Sequence, residues 1–109
     1  MAIDNGQNSF RRGVMSMVIL SLLKREDMYG YQLIQEMTIL SENAFSMSQG
    51  SLYPFLHALE EKKLIESYSI TENGRERRYY HLTAAGNSAL VEKEGQWARY
   101  VKAMGRILG

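Results

Sequence analysis

The 109-residue sequence contains no cysteine, one proline and one tryptophan, and its only aspartates are Asp4 and Asp27. Without cysteine, disulfide bonds, thiolate nucleophiles and cysteine-ligated metals are excluded. The two histidines, His57 and His81, fall in different predicted elements, so we expect no metal site. The sequence also lacks a glycine-rich phosphate loop and a nucleophile paired with a base, so we expect neither an enzyme nor a cofactor.

An excess of charge of one sign is also missing, since the net charge is +1 at pH 7. This value neither favours nor excludes nucleic acid as a partner, because recognition depends on where the charges lie. The positive charges are clustered: Arg75, Arg77 and Arg78 fall within four positions, and Arg11 and Arg12 form a second pair. The first cluster is therefore a candidate for contact with an anionic partner.

The sequence has no apolar run long enough to span a bilayer as a helix. The longest stretch, residues 14–23, is followed by the charged residues 24–27 rather than by a small-residue cleavage site. We therefore expect neither a signal peptide nor membrane contact, and we expect a cytoplasmic protein. With 109 residues and 45% apolar residues, the chain has the size and composition of one folded domain.

Residues 48–65 carry the strongest pattern, and the rest of the chain is organised around them. Leu52, Leu56 and Leu59 recur at helical spacing and predict a helix with one apolar stripe. Either Ser48 or Ser51 can cap this helix, and in both cases its N-terminus is open and polar, which suits a phosphate oxygen. The side opposite the apolar stripe carries Gly50, Tyr53, Pro54 and His57.

The segments before this helix predict a helix-turn-helix. Residues 1–9 have no periodicity and are expected to form a flexible N-terminal arm. Apolar residues at helical spacing predict helices over residues 10–25 and 31–40, and residues 41–48 form a short connection. A helix, a short connection and a second helix with a polar N-terminal face form the outline of a helix-turn-helix.

After Lys63 the pattern becomes extended. Residues 65–71 hold β-branched and aromatic residues with partial alternation, and residues 75–82 form a second strand-like segment. Asn73 and Gly74 between them are a strong hairpin signal, because both positions accept a positive φ. Three helices followed by a two-stranded hairpin make a winged helix.

A last helix is predicted from a Thr83 cap to Leu108. At 1.5 Å per residue it is about 37 Å long, which exceeds the body of a small winged helix. Its row of apolar residues, interrupted by Glu94, needs a partner chain, and we expect a homodimer. The predicted dimer interface comprises Val14, Met17, Val18, Leu90, Trp97, Val101, Met104 and Leu108.

The sequence therefore predicts an α+β, mainly helical fold: a winged helix-turn-helix with a long C-terminal dimerisation helix. The DNA-binding domain is expected over residues 10–82, after the flexible arm, and the dimerisation helix over residues 83–109. The predicted DNA-binding residues are Ser48, Gln49, Gly50, Ser51, Tyr53 and His57 at a groove of the duplex, and Arg75, Arg77 and Arg78 at phosphates or a minor groove.

The order and spacing of several short motifs resemble the PadR family of transcriptional regulators. These motifs lie at residues 28–34, 48–54, 59–65 and 74–83. The single short C-terminal helix, with Trp97 near its middle, is similar to the small subfamily that includes lactococcal multidrug-responsive repressors. The sequence departs from the usual family pattern, which often has Pro at Gln49, Thr at Ser51 and Lys at Arg78.

The resemblance implies a homodimeric repressor, a DNA operator made of two inverted half-sites, and a pore at Trp97 that binds flat aromatic drugs. The residues themselves suggest the same site, because two indoles near a two-fold axis, with Glu94 one turn earlier, suit planar and cationic compounds. Val101 is a further predicted ligand contact. The alternative is a winged-helix module that binds an acidic protein rather than specific DNA.

Overall fold

The computed structural model describes the backbone of residues 5–109 and the side chains from Phe10 onward. The chain forms, in order, α1 (Asn5–Arg25), β1 (Met28–Tyr29), α2 (Gly30–Leu40), α3 (Gln49–Glu61), β2 (Ile65–Glu72), β3 (Arg75–Leu82) and α4 (Ala84–Leu108). The predicted fold class is confirmed: the protein is mainly helical, with a winged helix-turn-helix followed by a long C-terminal helix.

The N-terminal arm predicted over residues 1–9 differs from the structure from Asn5 onward. Residues 1–4 lie outside the described residues, whereas Asn5 is already the first residue of α1. The helix therefore begins five residues before the predicted start at Phe10. No apolar periodicity marks these first residues, so their helical state follows from continuity with the buried part of α1.

One core holds the three N-terminal helices, the sheet and the start of α4 together. Side chains of α1 form its centre, with Ile19 and Leu20 fully buried. The apolar stripes of α2 and α3 pack against them through Leu33 and Leu52. The remaining buried apolar residues are Met15, Leu22, Leu23, Met28, Met37, Leu56, Leu59, Ile65, Tyr80 and Leu90.

The sheet has three antiparallel strands in the order β1-β3-β2, one more than the sequence predicts. The additional strand is only two residues long, and it pairs Met28 with Tyr80 and Tyr29 with Tyr79. The hairpin itself is confirmed, because Asn73 and Gly74 have φ values of 52° and 75°. A two-residue strand leaves no period-2 pattern, which explains why sequence periodicity missed it.

The last helix is anchored at its N-terminal end. Thr83 caps α4, since its side chain accepts a hydrogen bond from the Gly86 N–H at 2.9 Å. Leu90 is fully buried in the core. The prediction that Leu90 contacts a partner chain is therefore corrected, because this residue has no surface left to offer. Beyond it, α4 continues to Leu108 with mostly exposed side chains.

Candidate nucleic-acid interface

The start of α3 is exposed and capped by its own serines. Ser48 is the N-cap, and its Oγ accepts a hydrogen bond from the Ser51 N–H at 3.2 Å. The helix then runs without interruption through Pro54. Because proline has no N–H, the carbonyl of Gly50 receives no bond from the residue four positions later. Gln49, Gly50, Ser51, Tyr53 and His57 are all exposed, as the sequence predicts.

Tyr53 both packs against the preceding helix and reaches solvent. A Cβ added to Gly30, at the start of α2, would lie 3.0 Å from the Tyr53 hydroxyl oxygen, so a larger residue there would push the phenol outward by a few tenths of an ångström. The Tyr53 side chain nevertheless remains 37% exposed. The phenol therefore lies close to the start of α2, at the junction of the two helices.

The three arginines of the wing differ in their surroundings. Arg75 is exposed and follows the Asn73–Gly74 turn directly. Arg77 is half-buried, with its guanidinium carbon 4.6 Å from the centre of the Tyr29 ring, which is a cation–π contact. Arg78 turns toward α3, where one of its terminal nitrogens lies 3.7 Å from a carboxylate oxygen of Glu60.

A cleft between α3 and the wing brings the main candidates together. This helix–wing cleft has a volume of about 460 Å³ and is lined by Tyr29, Gly30, Tyr31, Gln49, Tyr53, Arg75, Glu76, Arg77 and Arg78. Two predicted residues of α3 thus face all three predicted arginines of the wing. The other candidates, Ser48, Gly50, Ser51 and His57, lie on the exposed side of α3 outside this lining.

Sequence reasoning missed the contribution of β1 and the start of α2 to the cleft. Tyr29 and Tyr31 flank Gly30 there, and Tyr31 is 52% exposed. The only local signal was the pair of aromatic residues on both sides of a glycine, which is weak by itself, although aromatic side chains do occur on nucleic-acid surfaces. Their place beside α3 was not readable, since it follows from the pairing of β1 with β3.

The outer face of the wing carries a row of three tyrosines. Tyr29, Tyr79 and Tyr68 sit opposite one another on β1, β3 and β2, with ring centroids 5.4 Å and 5.8 Å apart. This tyrosine row supports the ring on which Arg77 lies. Cross-strand aromatic pairs of this kind stabilise a sheet, so the wing is held rigid below its tip.

Asp27, just after the end of α1, is hydrogen-bonded to the outer face of the wing. Its carboxylate accepts a hydrogen bond from the Tyr68 hydroxyl and lies 2.9 Å from Nδ1 of His81. Burial raises the pKa of Asp27, but the hydrogen bonds from Tyr68 and His81 outweigh it and hold the pKa below its usual value. The same hydrogen bond to Asp27 raises the pKa of Tyr68 to about 12.

A second group of predicted residues lies between α1 and α4. Trp97 packs near Phe10 and Tyr100, whose ring centroids lie 6.3 Å and 5.7 Å from the centroid of the indole. These rings border a cavity of about 260 Å³, here called the indole cavity, which Lys93 and Gln96 also line. The three aromatic side chains are between 39% and 48% exposed.

The other predicted ligand residues, Glu94 and Val101, do not line the indole cavity itself. Glu94 lines a neighbouring cavity of about 360 Å³ between α1, α2 and α4, and Trp97 borders that cavity as well. Val101 lines neither cavity within one chain and is 49% exposed. Val14 and Met17 line the indole cavity, whereas Met17 and Val18 line the neighbouring one.

The part of the chain that the structure describes contains neither a metal-binding cluster nor a membrane-spanning helix. Among these residues, no group of three or more histidine, cysteine, aspartate or glutamate side chains is arranged to hold a metal ion. No described helix has both the length and the apolar character needed to cross a membrane.

A helix-turn-helix whose second helix is exposed beside an arginine-bearing wing defines the winged-helix class of DNA-binding proteins. Within that class, the chain belongs to the PadR family of transcriptional regulators, because residues 19–92 match the Transcriptional regulator PadR-like family. This family consists of regulators rather than enzymes, in agreement with the sequence analysis.

Individual relatives support the same assignment. The chain is 39% identical to Transcriptional regulator Rv3488 of Mycobacterium tuberculosis over 83 residues, which cover 76% of this chain and 75% of that protein. A transcriptional regulator from Clostridium thermocellum has a similar structure, with a TM-score of 0.84 and 28% identity over 93% of this chain and 99% of the other. A PadR family transcription regulator from Clostridium difficile has a TM-score of 0.74 and 32% identity, covering 86% and 97%.

Proposed function

We propose that this PadR-family regulator is a cytoplasmic repressor that binds an inverted-repeat operator as a homodimer. The observation that carries the proposal is the helix–wing cleft, where Gln49 and Tyr53 of α3 face three arginines of the wing. Polar side chains on a recognition helix read base edges, and wing arginines contact phosphates or a neighbouring groove. A two-fold dimer then requires half-sites about one helical turn, or a multiple of it, apart.

The experiment measures binding to random and selected duplexes over a range of salt concentrations. Arg75→Gln is expected to weaken binding to every duplex and to reduce the magnitude of the slope of log K against log salt by about 1.8, because the dimer loses one phosphate contact in each subunit, at about 0.9 per contact. Gln49→Ala is expected instead to change which sequences a randomised pool yields. Arg106→Gln, in the last turn of α4, removes the same charge outside the cleft and serves as the control.

Absence of salt-dependent binding to random duplex DNA would contradict this proposal. It would favour the alternative, a winged-helix module whose arginines meet an acidic protein, since such a module need not release counterions from DNA.

The dimer part of the proposal rests on the exposed apolar surface of α4. Val101, Ile107 and Leu108 are 49%, 77% and 76% exposed in one chain. Complete burial of a fully exposed side chain of this size is worth roughly 1.5–3 kcal/mol, and the gain here scales with the fraction that is still exposed, so it is smaller for Val101 than for Ile107 and Leu108. A second copy of α4 and α1 offers the same apolar groups, so an interface between identical chains satisfies both partners at once.

Single substitutions on α4 test the dimer better than a truncation. Removing the helix after Thr83 would also delete Leu90 from the core, so loss of folding would say nothing about a partner. Val101→Glu places a charge on the exposed surface and is expected to shift the protein toward monomer in sedimentation velocity. Asn87→Glu adds the same charge to an exposed polar position near the start of α4 and is expected to leave the association unchanged.

We further propose that a planar aromatic ligand binds at Trp97 and releases the operator. The support is the indole cavity, where Phe10 and Tyr100 flank the indole, together with Glu94 in the adjoining cavity. Aromatic walls with a nearby carboxylate suit flat and cationic compounds through stacking and cation–π attraction. Release requires that the ligand favour one separation of the two recognition helices over another.

Fluorescence titration tests both halves of this ligand proposal. Trp97 is the only tryptophan, so planar dyes that enter the cavity are expected to quench the protein's indole emission. The same compounds are expected to weaken operator binding in a parallel titration. Absence of quenching across a panel of dyes contradicts the site, whereas quenching with unchanged DNA affinity contradicts only its regulatory role.

A further inference from the structure

Glu60 lies at a position that is unfavourable for a carboxylate. It belongs to the last turn of α3, where the negative end of the helix dipole disfavours an anion. A carboxylate on a recognition helix also repels DNA phosphates. The side chain of Glu60 is nevertheless only 24% exposed, so it is held against the protein rather than extended into solvent.

Glu60 is the centre of a small hydrogen-bonded network that joins α3 to both strands of the wing. One of its carboxylate oxygens, Oε2, accepts a hydrogen bond from the Ser67 hydroxyl of β2 at 2.7 Å. The same oxygen lies 3.7 Å from a terminal nitrogen of Arg78 on β3. Arg78 closes the triangle, because its Nε donates to the Ser67 Oγ at 3.1 Å.

The strand register shows why Arg78 is drawn away from the wing's tip. Arg78 is paired across the sheet with Ser69, so it reaches Ser67 diagonally, in the direction of α3. Two of its nitrogens therefore have partners within the protein. Arg75, in contrast, follows the hairpin turn and is exposed.

We propose that Arg78 is a positioning residue and not a phosphate contact. Together with Glu60 and Ser67, it fixes the spacing and angle between the recognition helix and the wing. This inference rests on the DNA-binding function proposed above. Specific binding needs both elements at fixed places on the duplex, whereas binding to random duplex depends mainly on the number of phosphates neutralised.

The first test compares salt slopes on a random-sequence duplex. Arg78→Gln is expected to leave the slope at the wild-type value, whereas the matched variant Arg75→Gln reduces its magnitude by about 1.8, because each subunit of the dimer loses one phosphate contact. An equal drop in both variants overturns the inference and makes Arg78 an ordinary phosphate contact. If the wild-type protein itself shows no salt-dependent binding, the proposed function fails and the inference with it, so the two failures are distinguishable.

The second test measures the preference for a duplex that the wild-type protein has selected from a randomised pool, relative to random duplex. Arg78→Gln and Glu60→Gln are each expected to lower this ratio roughly three- to tenfold, and the double variant to be no worse than either single one. Arg78→Lys is expected to lower this preference as well. A single ammonium group cannot contact Ser67 and Glu60 at the same time, as the planar guanidinium of arginine does.

Retention of the full preference by Arg78→Lys would overturn the inference, since a lysine satisfies a simple phosphate contact. The inference would also be overturned if Glu60→Gln bound the selected duplex more tightly and kept the wild-type preference for selected over random duplex. That result would mean that Glu60 only keeps Arg78 from contacting DNA. The Arg78 variants are expected to keep the wild-type melting midpoint within a few degrees, because Arg78 is 61% exposed.

Discussion

Replacing Gly86 by alanine is expected to separate α4 from the wing. Gly86 lies in the first turn of α4 and is buried. A Cβ added there would lie 2.0 Å from the backbone carbonyl oxygen of Leu64 and 2.6 Å from a methyl group of Leu82. The Leu64 oxygen has little freedom to move, because it accepts hydrogen bonds from the N–H and the hydroxyl of Thr83 at 3.1 Å and 2.9 Å.

The size of the effect follows from three opposing contributions. Overpacking costs roughly 1–3 kcal/mol, and losing the two hydrogen bonds to the Leu64 carbonyl costs about 1 kcal/mol each. Alanine is favoured over glycine in a helix by about 1 kcal/mol, which partly offsets the loss. Gly86→Ala is therefore expected to lower the free energy of unfolding by roughly 2–4 kcal/mol, out of a total of about 5–15 kcal/mol for a typical domain.

Chemical denaturation of three proteins at one concentration tests this expectation. The control is Gly95→Ala in the same helix, where the new Cβ meets only the end of the flexible Arg99 side chain at 3.6 Å. This control is expected to gain up to about 1 kcal/mol from helix propensity. Equal stabilisation by both substitutions would refute the reasoning, because it would mean that the contact between α4 and Leu64 gives way freely. A fixed concentration matters because dimer stability depends on it.

Three further predictions concern local features of the fold. Lys63→Gly is expected to raise the free energy of unfolding by about 1 kcal/mol in denaturant titrations, because Lys63, directly after the C-cap of α3, has a φ of 62°, and a decrease would contradict this. Ser48→Ala is expected to lower it by about 1 kcal/mol through loss of the α3 cap, whereas the control Ser88→Ala, at an exposed position inside α4, is expected to raise it by up to about 0.7 kcal/mol through helix propensity. Although burial raises the pKa of Asp27, its hydrogen bonds keep it low, so its contribution to stability is present above about pH 4 and is lost as pH falls further. Asp27→Asn is expected to flatten the acid limb of the pH–stability curve, and an unchanged limb would refute this.

The helical elements were predictable because their patterns are local. Leu52, Leu56 and Leu59 recur at the period of an α-helix, and all three are buried in the structure. The Asn73–Gly74 turn was predictable for the same reason, since its two residues tolerate a positive φ that most others do not. The order and spacing of the PadR-like motifs predicted the family, and the family match over residues 19–92 confirms it.

The roles of single side chains were less predictable. All three arginines of the wing look alike in the sequence, yet Arg77 lies on Tyr29 and Arg78 on Glu60 and Ser67. Leu90 looks like one more member of the apolar row of α4, but it is fully buried within one chain. In each case the partner is distant in sequence, so no local pattern reports it.

By itself, the sequence determined the kinds of elements, their order and the exposed polar face of α3, because helix period, caps and turn residues act over a few positions. Only the tertiary structure decided that β1 joins the sheet, that Tyr29 and Tyr31 border the helix–wing cleft, and that Glu60 connects the recognition helix to the wing. These features depend on strand register and on packing between segments far apart in the chain, and both are set by burial of a shared core.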